Sequence, residues 1–466
     1  MGFSAGFKTL GAETQGDELA WQGSPPPWLN GVLLRTGPAK FEVGAAAYRH
    51  WFDGLAMLHR FGFDGGRIHY ANRFLQSESY RNAIVKNTIV SDEFATNGSR
   101  LWSRILGPLT GKLTDNGNVN VLAYGGHDTV ALTETPCPLR FDPETLETLG
   151  PFEWTDGLKN ELTTAHPHYD AGRQLIYNFE TRFGRKSYYR FTRMAPGSHH
   201  RSVVAEIETR EPAYTHSFAM SERTLVLAEF PLVTTPLRLL FGGRPFIESY
   251  RWVPSRGVRF TVIDKDTGVI LRRAEAEACF SFHHVNAFDE DGAVVLDLLA
   301  YPDARVIDAF YLAELRAGKA IPQSLLTRFT IPLGEGPVTQ TVLSGAPLEL
   351  PRIAYPRLAG RRHRYVWGAS PTGSGFFDSL VKQDLDTRKL ANWTEKDTFP
   401  GEPVFVPAPN AGAEDEGVLL SVVLDGEGAR SFLLAVDAAT MKECARAYAP
   451  HVIPFGFHGN YFANAA

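Results

Sequence analysis

The chain is poor in cysteine and has no long apolar run. Its three cysteines lie far apart among the 466 residues, which excludes a disulfide framework and a thiolate metal cage. No window of about 20 apolar residues is present, so we expect no membrane-spanning helix. Long basic runs are also missing and the net charge is −5, which disfavours nucleic acid as a partner. Residues 1–16 lack the pattern of a secretory signal, and we therefore expect a cytoplasmic protein.

Turn residues are abundant, and short apolar runs recur between them. The 43 glycines and 30 prolines disfavour long helices, whereas stretches such as 292–301 and 417–425 have the composition of strands. The motif Asp-x-x-Thr follows several such runs, and aspartate at the first position of a turn favours tight hairpins. Its copies begin at Asp142, Asp264, Asp384 and Asp437. Their spacing fits two, two and one units of roughly 55–60 residues, near the length of a propeller blade, although chance recurrence is the alternative.

Four histidines far apart in the sequence stand in phrases typical of strand ends. They are His166 in TTAHPHYD, His216 in AYTHSFAMSE, His283 in CFSFHHVNAF and His458 in IPFGFHGNYF. No helix or hairpin brings such distant residues together, but the inner strands of a propeller all line one axis. Imidazole suits zinc, copper, iron and nickel, and an all-histidine site leaves the full charge on a divalent ion. The spacing therefore predicts a redox metal with positions open to dioxygen.

Three glutamates stand in apolar or proline-bounded phrases, where an unpaired carboxylate is rare. They are Glu134, Glu349 and Glu402. Histidine ligands usually donate their other N–H to such a carboxylate, so we expect these side chains beside the metal. The other histidines are expected to be ordinary surface or core residues, including two neighbours of the candidate ligands, His168 and His284.

Taken together, the phrases resemble the carotenoid cleavage oxygenases over nearly the whole chain. The resemblance runs from GVLLRTGPAKFE (31–42) and HWFDGLAMLHRF (50–61) through TETP, TAHPH, THSFA, FHHVNAF, ELPRI and EPVFV to PFGFHG. It implies one all-β domain over 1–466, a seven-bladed propeller capped by a dome of loops and short helices over an axial metal. It also implies Fe(II) on the axis, held by the four histidines listed above. The family pattern pairs Glu134 with His216, Glu349 with His283 and Glu402 with His458, and leaves His166 without a glutamate.

The resemblance also implies a reaction and a substrate class. Residues 73–98 resemble the branch of the β-carotene oxygenases and the retinoid isomerohydrolase, so we expect O2-dependent cleavage of a C=C bond in a carotenoid or apocarotenoid, giving retinal-type aldehydes. Stilbenoid-cleaving members carry a lysine where this chain has Thr133, which disfavours a phenolic stilbene. Val119 is placed near an open metal position by analogy. A retinoid isomerase, a stilbenoid-cleaving dioxygenase and a non-catalytic carotenoid-binding propeller remain as alternatives.

A membrane-resident substrate implies contact with lipid. Residues 231–241 combine apolar side chains with flanking arginines, a pattern that suits a helix lying on anionic lipid, and residues 101–112 could join it. The predicted contact residues are Leu232, Val233, Leu237, Leu239, Leu240 and Phe241. The alternative is a buried loop packed on the propeller.

Overall fold

Seven antiparallel sheets follow one another along the chain and form a β-propeller. The computed structural model describes residues 2–98, 113–125, 128–241 and 243–463. The prediction of an all-β propeller with seven blades is confirmed. The stretch 101–112, proposed above as a second lipid contact, lies outside the described residues.

The first four blades are described in chain order. Blade 1 consists of Thr14–Leu19, Gly31–Lys40, Leu55–Asp64, Arg67–Phe74 and Gly459–Ala463. Blade 2 consists of Asn120–Gly125, Asp128–Leu132, Leu139–Phe141 and Thr148–Pro151. Blade 3 consists of Leu162–Thr163, His168–Asp170, Leu175–Arg182, Ser187–Met194 and Ser202–Thr209. Blade 4 consists of Ala219–Met220, Thr224–Glu229, Val258–Asp264 and Ile270–Ala276.

Three further blades complete the ring. Blade 5 consists of His284–Glu290, Ala293–Ala300, Leu325–Pro332 and Thr339–Pro347. Blade 6 consists of Glu349–Arg352, Tyr365–Ser370, Ser379–Asp384 and Leu390–Trp393. Blade 7 consists of Trp21–Gly23, Thr398–Pro400, Val404–Pro407, Gly417–Asp425, Arg430–Asp437 and Glu443–Tyr448. Two-stranded ribbons pair Glu42–Val43 with Ala46–Ala47 and Leu232–Val233 with Arg251–Trp252.

The two ends of the described chain close the ring. Strand Gly459–Ala463 pairs antiparallel with Gly31–Lys40, so the C-terminal strand completes the blade that the N-terminal region begins. Strand Trp21–Gly23 pairs with Glu443–Tyr448 at the other edge of the last blade. Each closing strand satisfies backbone groups that an open ring would leave unpaired. The closure also fixes His458, which immediately precedes Gly459–Ala463.

The Asp-x-x-Thr copies are the hairpin turns between the last two strands of blades 2, 4, 6 and 7. In each, the aspartate Oδ1 accepts the backbone N–H of the threonine, at 2.8 Å for Asp142, Asp264 and Asp437 and at 3.1 Å for Asp384. The residue after the threonine has positive φ, as at Met441 with φ 58°. The motif therefore occurs in blades 2, 4 and 6 and then in the adjacent blade 7, so consecutive copies are two, two and one blades apart.

Short helices and 3-10 turns occur in the connections between strands. The α-helices are Glu78–Lys86, Pro236–Phe241, Arg305–Ala309, Leu312–Arg316 and Tyr355–Leu358. Single 3-10 turns occur at Gly2–Phe7, Trp51–Asp53, Ile247–Ser249 and Pro254–Arg256. Among the described residues, no helix is both long and apolar enough to cross a bilayer. The largest core cluster joins Gly2–Phe7, Trp51–Asp53, Arg305–Ala309 and Leu312–Arg316 to blades 4 and 5 and is rich in phenylalanine.

Candidate metal centre

All seven blades contribute one residue to a cluster at the axis. In blades 1, 3, 4 and 5 the contributed residue is a histidine that stands just before an inner strand. In blades 2, 6 and 7 it is a glutamate at or near a strand end. In blade order the residues are His458, Glu134, His166, His216, His283, Glu349 and Glu402. Because strand ends of different blades meet at the axis, residues far apart in sequence become neighbours.

The four imidazoles converge on one point. One ring nitrogen from each lies within 4.8 Å of those of the other three. Nε2 of His166 lies 3.0 Å from Nε2 of His216, and Nε2 of His283 lies 3.2 Å from Nε2 of His458. The side chains of His216, His283 and His458 are buried. The structure thus brings together all four histidines selected from the sequence.

Three of these histidines have a carboxylate partner on the opposite ring nitrogen. Nδ1 of His216 lies 2.5 Å from Glu134, and Nδ1 of His283 lies 2.6 Å from Glu349. Nδ1 of His458 lies 2.7 Å from Oε1 of Glu402. The pairs are those that the family pattern implied. Among the described residues, no carboxylate forms a hydrogen bond with the fourth histidine, whose backbone N–H instead donates to Thr164 Oγ1.

Further donors hold the glutamates, and sequence reasoning missed them. The hydroxyl of Tyr214 donates to Glu134 at 2.8 Å, and that of Tyr301 donates to Glu349 at 2.8 Å. Arg352 donates to Glu402 at 2.9 Å. Tyr214 stands two residues before a candidate ligand in AYTHSFA, and Arg352 lies in ELPRI, so both were within quoted phrases. Tyr301 has no local signal.

The electrostatics of the buried carboxylates keep them ionised. Burial alone would raise the pKa of Glu402, but Arg352 and His458 outweigh it and lower that pKa. The pKa of Glu349 is also lowered, because its histidine, a backbone N–H and the Tyr301 hydroxyl together overcome burial. Burial lowers the pKa of His458 to about 4, so this imidazole is neutral near pH 7.

The donor set fits a bound cation. A neutral imidazole that donates its Nδ1 proton to a carboxylate has an unprotonated Nε2, and His216, His283 and His458 turn this atom toward the cluster centre. Unprotonated nitrogens about 3 Å apart repel one another unless a positive ion lies between them. Burial and the neighbouring imidazoles lower the pKa of His166, which disfavours the charged form of this ring. Imidazole without thiolate is typical of iron, copper, nickel or zinc ligation.

The two histidines adjacent to candidate ligands belong to other contacts. Nδ1 of His168 bonds the Tyr355 hydroxyl at 2.7 Å, and its Nε2 bonds the Phe218 carbonyl at 3.0 Å. Nδ1 of His284 lies 2.8 Å from the hydroxyl of Ser217. Both rings are therefore used in holding inner strands together.

A cavity of about 410 Å³ opens directly above the cluster. Its lining includes three of the candidate ligands together with Val119 and Thr133, the two residues placed there by analogy. Nine of the remaining wall residues are aromatic, and several of their rings contact one another, as in the 4.7 Å centroid separation of Trp51 and Phe457. The aromatic wall residues are Trp51, Phe52, Phe94, Phe183, Phe246, Phe282, Phe310, Phe377 and Phe457. Such a wall suits a hydrocarbon with few polar groups.

The segment predicted to touch lipid divides into two parts. Leu232 and Val233 are 6% and 0% exposed, and Leu232 belongs to the largest core cluster, so the prediction of lipid contact is wrong for these two residues. Helix Pro236–Phe241 follows at the surface. There Leu237, Leu240 and Phe241 are exposed, and Leu239 lines the cavity.

Comparisons with known proteins agree with this fold. The family model described as "Retinal pigment epithelial membrane protein" matches residues 7–463. "Carotenoid-cleaving dioxygenase, mitochondrial" of Macaca fascicularis is 35% identical over 94% of this chain and 90% of its own. "Carotenoid cleavage dioxygenase 8 homolog A, chloroplastic" of Oryza sativa subsp. japonica is 36% identical over 95% and 84%. "Beta,beta-carotene 15,15'-dioxygenase" of Gallus gallus is 31% identical over 94% of each chain.

Solved structures match over almost the full length. A variant of the Synechocystis apocarotenoid oxygenase superposes with a TM-score of 0.88 at 26% identity, covering 99% of this chain and 98% of that one. The cobalt-substituted form of the same protein gives 0.87 at 26% identity with the same coverage. These relatives are oxygenases, and the predicted class of enzyme is confirmed. The chain belongs to the carotenoid cleavage oxygenase family.

Proposed function

We propose that this protein is a non-haem Fe(II) dioxygenase that cleaves a C=C bond of a carotenoid or apocarotenoid with O2 to give two aldehydes or related carbonyl products. The observation that carries the proposal is the convergence of four imidazoles beside a cavity whose wall includes nine aromatic residues. Adding O2 across a C=C bond and breaking that bond gives two C=O groups, so the overall reaction needs no external reductant. The names of the relatives support a polyene substrate.

In this proposal His166, His216, His283 and His458 hold the iron. The three glutamates fix the tautomer, so the ligating nitrogen carries a lone pair at neutral pH. Iron, when bound, would supply the activation of dioxygen that the cleavage requires. Four uncharged histidine ligands do not offset the positive charge of the iron. In this respect the site differs from the two-histidine, one-carboxylate triad.

The cavity wall orients the substrate and excludes water. The rings of Phe52, Phe282 and Phe457 lie above the imidazoles, with Phe52 and Phe457 centroids 5.1 Å apart. Polyenes offer dispersion contacts but few hydrogen bonds, so the position of the reacting bond follows from the shape of this wall. Thr133 adds a neutral polar group to the wall, where a lysine would favour a phenol oxygen.

We also propose peripheral contact with membrane lipid through helix Pro236–Phe241. Three of its apolar side chains, Leu237, Leu240 and Phe241, are exposed, and the adjoining arginines Arg238 and Arg244 suit anionic headgroups. Leu239 and Arg244 line the cavity that ends at the histidines. A hydrophobic substrate could thus pass from lipid into the cavity without crossing water.

The experiment that tests the activity uses anaerobically purified, Fe(II)-loaded protein. β-Carotene, a series of apocarotenals and a hydroxystilbene are offered in detergent under ¹⁸O-labelled O2, and products are identified by mass spectrometry. Labelled aldehydes from one polyene are expected. A retinoid ester is offered in a parallel reaction. An iron-loaded protein that consumes no O2 with any of these compounds but isomerises the ester would contradict the cleavage proposal and favour isomerohydrolase chemistry.

A further inference from the structure

The three glutamates have unequal surroundings. Glu134 and Glu349 receive tyrosine hydroxyls, which are neutral donors. Glu402 instead forms an ion pair with Arg352, whose Nη2 lies 2.9 Å from Oε2, while the same oxygen accepts the Gly459 N–H at 3.0 Å. Each of the three glutamates forms a hydrogen bond with a clustered histidine. Among the described residues, Glu402 is the one of the three that also forms an ion pair with an arginine or lysine, namely Arg352.

The same arginine starts a second chain of hydrogen bonds. Its Nη1 donates to Oδ1 of Asn460 at 3.3 Å, and Nδ2 of Asn460 donates to Oδ1 of Asn120 at 3.3 Å. Nδ2 of Asn120 then donates to the carbonyl of Ala165 at 2.8 Å. Ala165 is the residue before His166, the histidine for which the described part of the chain offers no carboxylate partner. The chain therefore ends on the backbone that carries this ring.

We infer that Arg352 is a positioning residue for the metal centre and acts on two of its four histidines. It holds Glu402 against His458, and through Asn460 and Asn120 it fixes the backbone that carries His166. The inference rests on the proposed iron site. It adds a residue that touches neither metal nor substrate but sets the placement and the electron donation of the ligands.

The charge of Arg352 has a definite electronic effect. A guanidinium beside Glu402 draws negative charge away from the oxygen that accepts the Nδ1 proton, so His458 is a weaker electron donor than His216 or His283. A second buried arginine, Arg35, faces the same carboxylate, and burial lowers its pKa. Without the charge of Arg352, Glu402 accepts a stronger hydrogen bond from Nδ1 of His458. The imidazole then becomes a stronger electron donor to the metal, which favours the oxidised state.

The test compares Arg352→Met and Arg352→Lys in the full chain. Fe(II) affinity is measured by anaerobic titration, and the Fe(III)/Fe(II) midpoint potential by spectroelectrochemistry. Arg352→Met is expected to bind Fe(II) about tenfold or more weakly and to have a more negative potential than wild type. Arg352→Lys keeps the charge and is expected to return the potential toward the wild-type value, which a purely structural role would not do.

Arg328→Met is the matched control, because it removes a partly buried ion pair with Asp297 in blade 5, away from the cluster. It is expected to lower stability while leaving affinity and potential unchanged. If Arg352→Met does not fold, Asn120→Ala tests the second chain and is expected to weaken Fe(II) binding without shifting the potential in the same way. Wild-type affinity and potential in Arg352→Met, or wild-type affinity in Asn120→Ala, would overturn the inference. Failure of the wild-type protein to bind iron would instead reject the proposed site itself.

Discussion

At the scale of single residues, hydrogen bonding on one side of each imidazole decides what the other side can do. His216, His283 and His458 donate Nδ1 to carboxylates, and this leaves Nε2 free to bind a cation. Burial of a histidine does not by itself identify a cation ligand, because a buried ring without a carboxylate partner can adopt either tautomer. The glutamates are therefore as informative about the site as the histidines.

Changing Glu349 to Gln tests this dependence. The amide oxygen can still accept a hydrogen bond from Nδ1 of His283, but it carries no charge, so we expect Fe(II) affinity to fall about 10–100-fold. Tyr301→Phe removes a neutral donor from the same carboxylate and is expected to have a smaller effect. Anaerobic Fe(II) titration of both variants measures the difference, and equal affinities in Glu349→Gln and wild type would contradict the role given to the carboxylate.

At the scale of elements, one short helix separates two environments. Helix Pro236–Phe241 turns Leu239 toward the cavity and leaves Leu237 and Phe241 68% and 78% exposed. Hydropathy alone did not distinguish these residues from the buried ribbon before them, because both stretches are equally apolar. The difference depends on strand pairing with Arg251–Trp252, which is a tertiary feature.

The double variant Leu237→Ser/Phe241→Ser is expected to bind anionic liposomes several-fold more weakly than wild type, because apolar area drives insertion at the interface. Co-sedimentation with phosphatidylserine-containing vesicles measures the binding. Val85→Ser, an exposed apolar residue on another helix, is the control for general loss of surface hydrophobicity. Iron content should not change, and undiminished sedimentation of the double variant would reject the lipid contact.

The blade turns permit a prediction of stability. Asp437 accepts hydrogen bonds from the N–H and the hydroxyl of Thr440 at 2.8 and 2.7 Å, so Asp437→Ala should lower the free energy of unfolding by about 1 kcal/mol. Glu427→Ala, in the exposed turn at the other end of strand Arg430–Asp437, should change it by less than about 0.5 kcal/mol. Urea unfolding measures both. A neutral effect of Asp437→Ala would show that the motif marks the turn without stabilising it.

At the scale of the whole molecule, the propeller turns sequence distance into proximity. Each blade supplies one residue to the cluster, and closure of the ring by Gly459–Ala463 brings His458 to the other six. The fold could be predicted because the turn motif repeats along the chain and the family phrases extend over nearly all of it. The donors Tyr301 and Arg352 could not be assigned, because their contacts depend on side-chain placement between blades. The shape of the cavity could not be predicted from the sequence either.

Buried neutral histidines make the whole fold sensitive to acid. Burial lowers the pKa of His50 and His284 to about 3 and that of His168 and His458 to about 4, whereas an unfolded histidine titrates near pH 6.5. Between these values the unfolded chain binds more protons, so stability is full above about pH 6.5 and is lost as pH falls toward 4. Asp53, whose pKa burial raises to about 6, acts in the opposite sense and offsets only part of this loss.

The urea midpoint of the metal-free protein is therefore expected to be lower at pH 5.5 than at pH 7.5, at matched ionic strength. An equal or higher midpoint at pH 5.5 would contradict this prediction, because it would mean that protonation of these imidazoles does not destabilise the fold.

The central claim is that four histidines hold one iron, and metal content tests it most directly. Wild type, His216→Ala and His200→Ala are loaded with Fe(II) without oxygen, desalted and analysed by mass spectrometry for iron per chain. His200 is exposed and serves as the control. We predict one iron in wild type and in His200→Ala and none retained in His216→Ala. Full iron in His216→Ala would contradict the proposed centre.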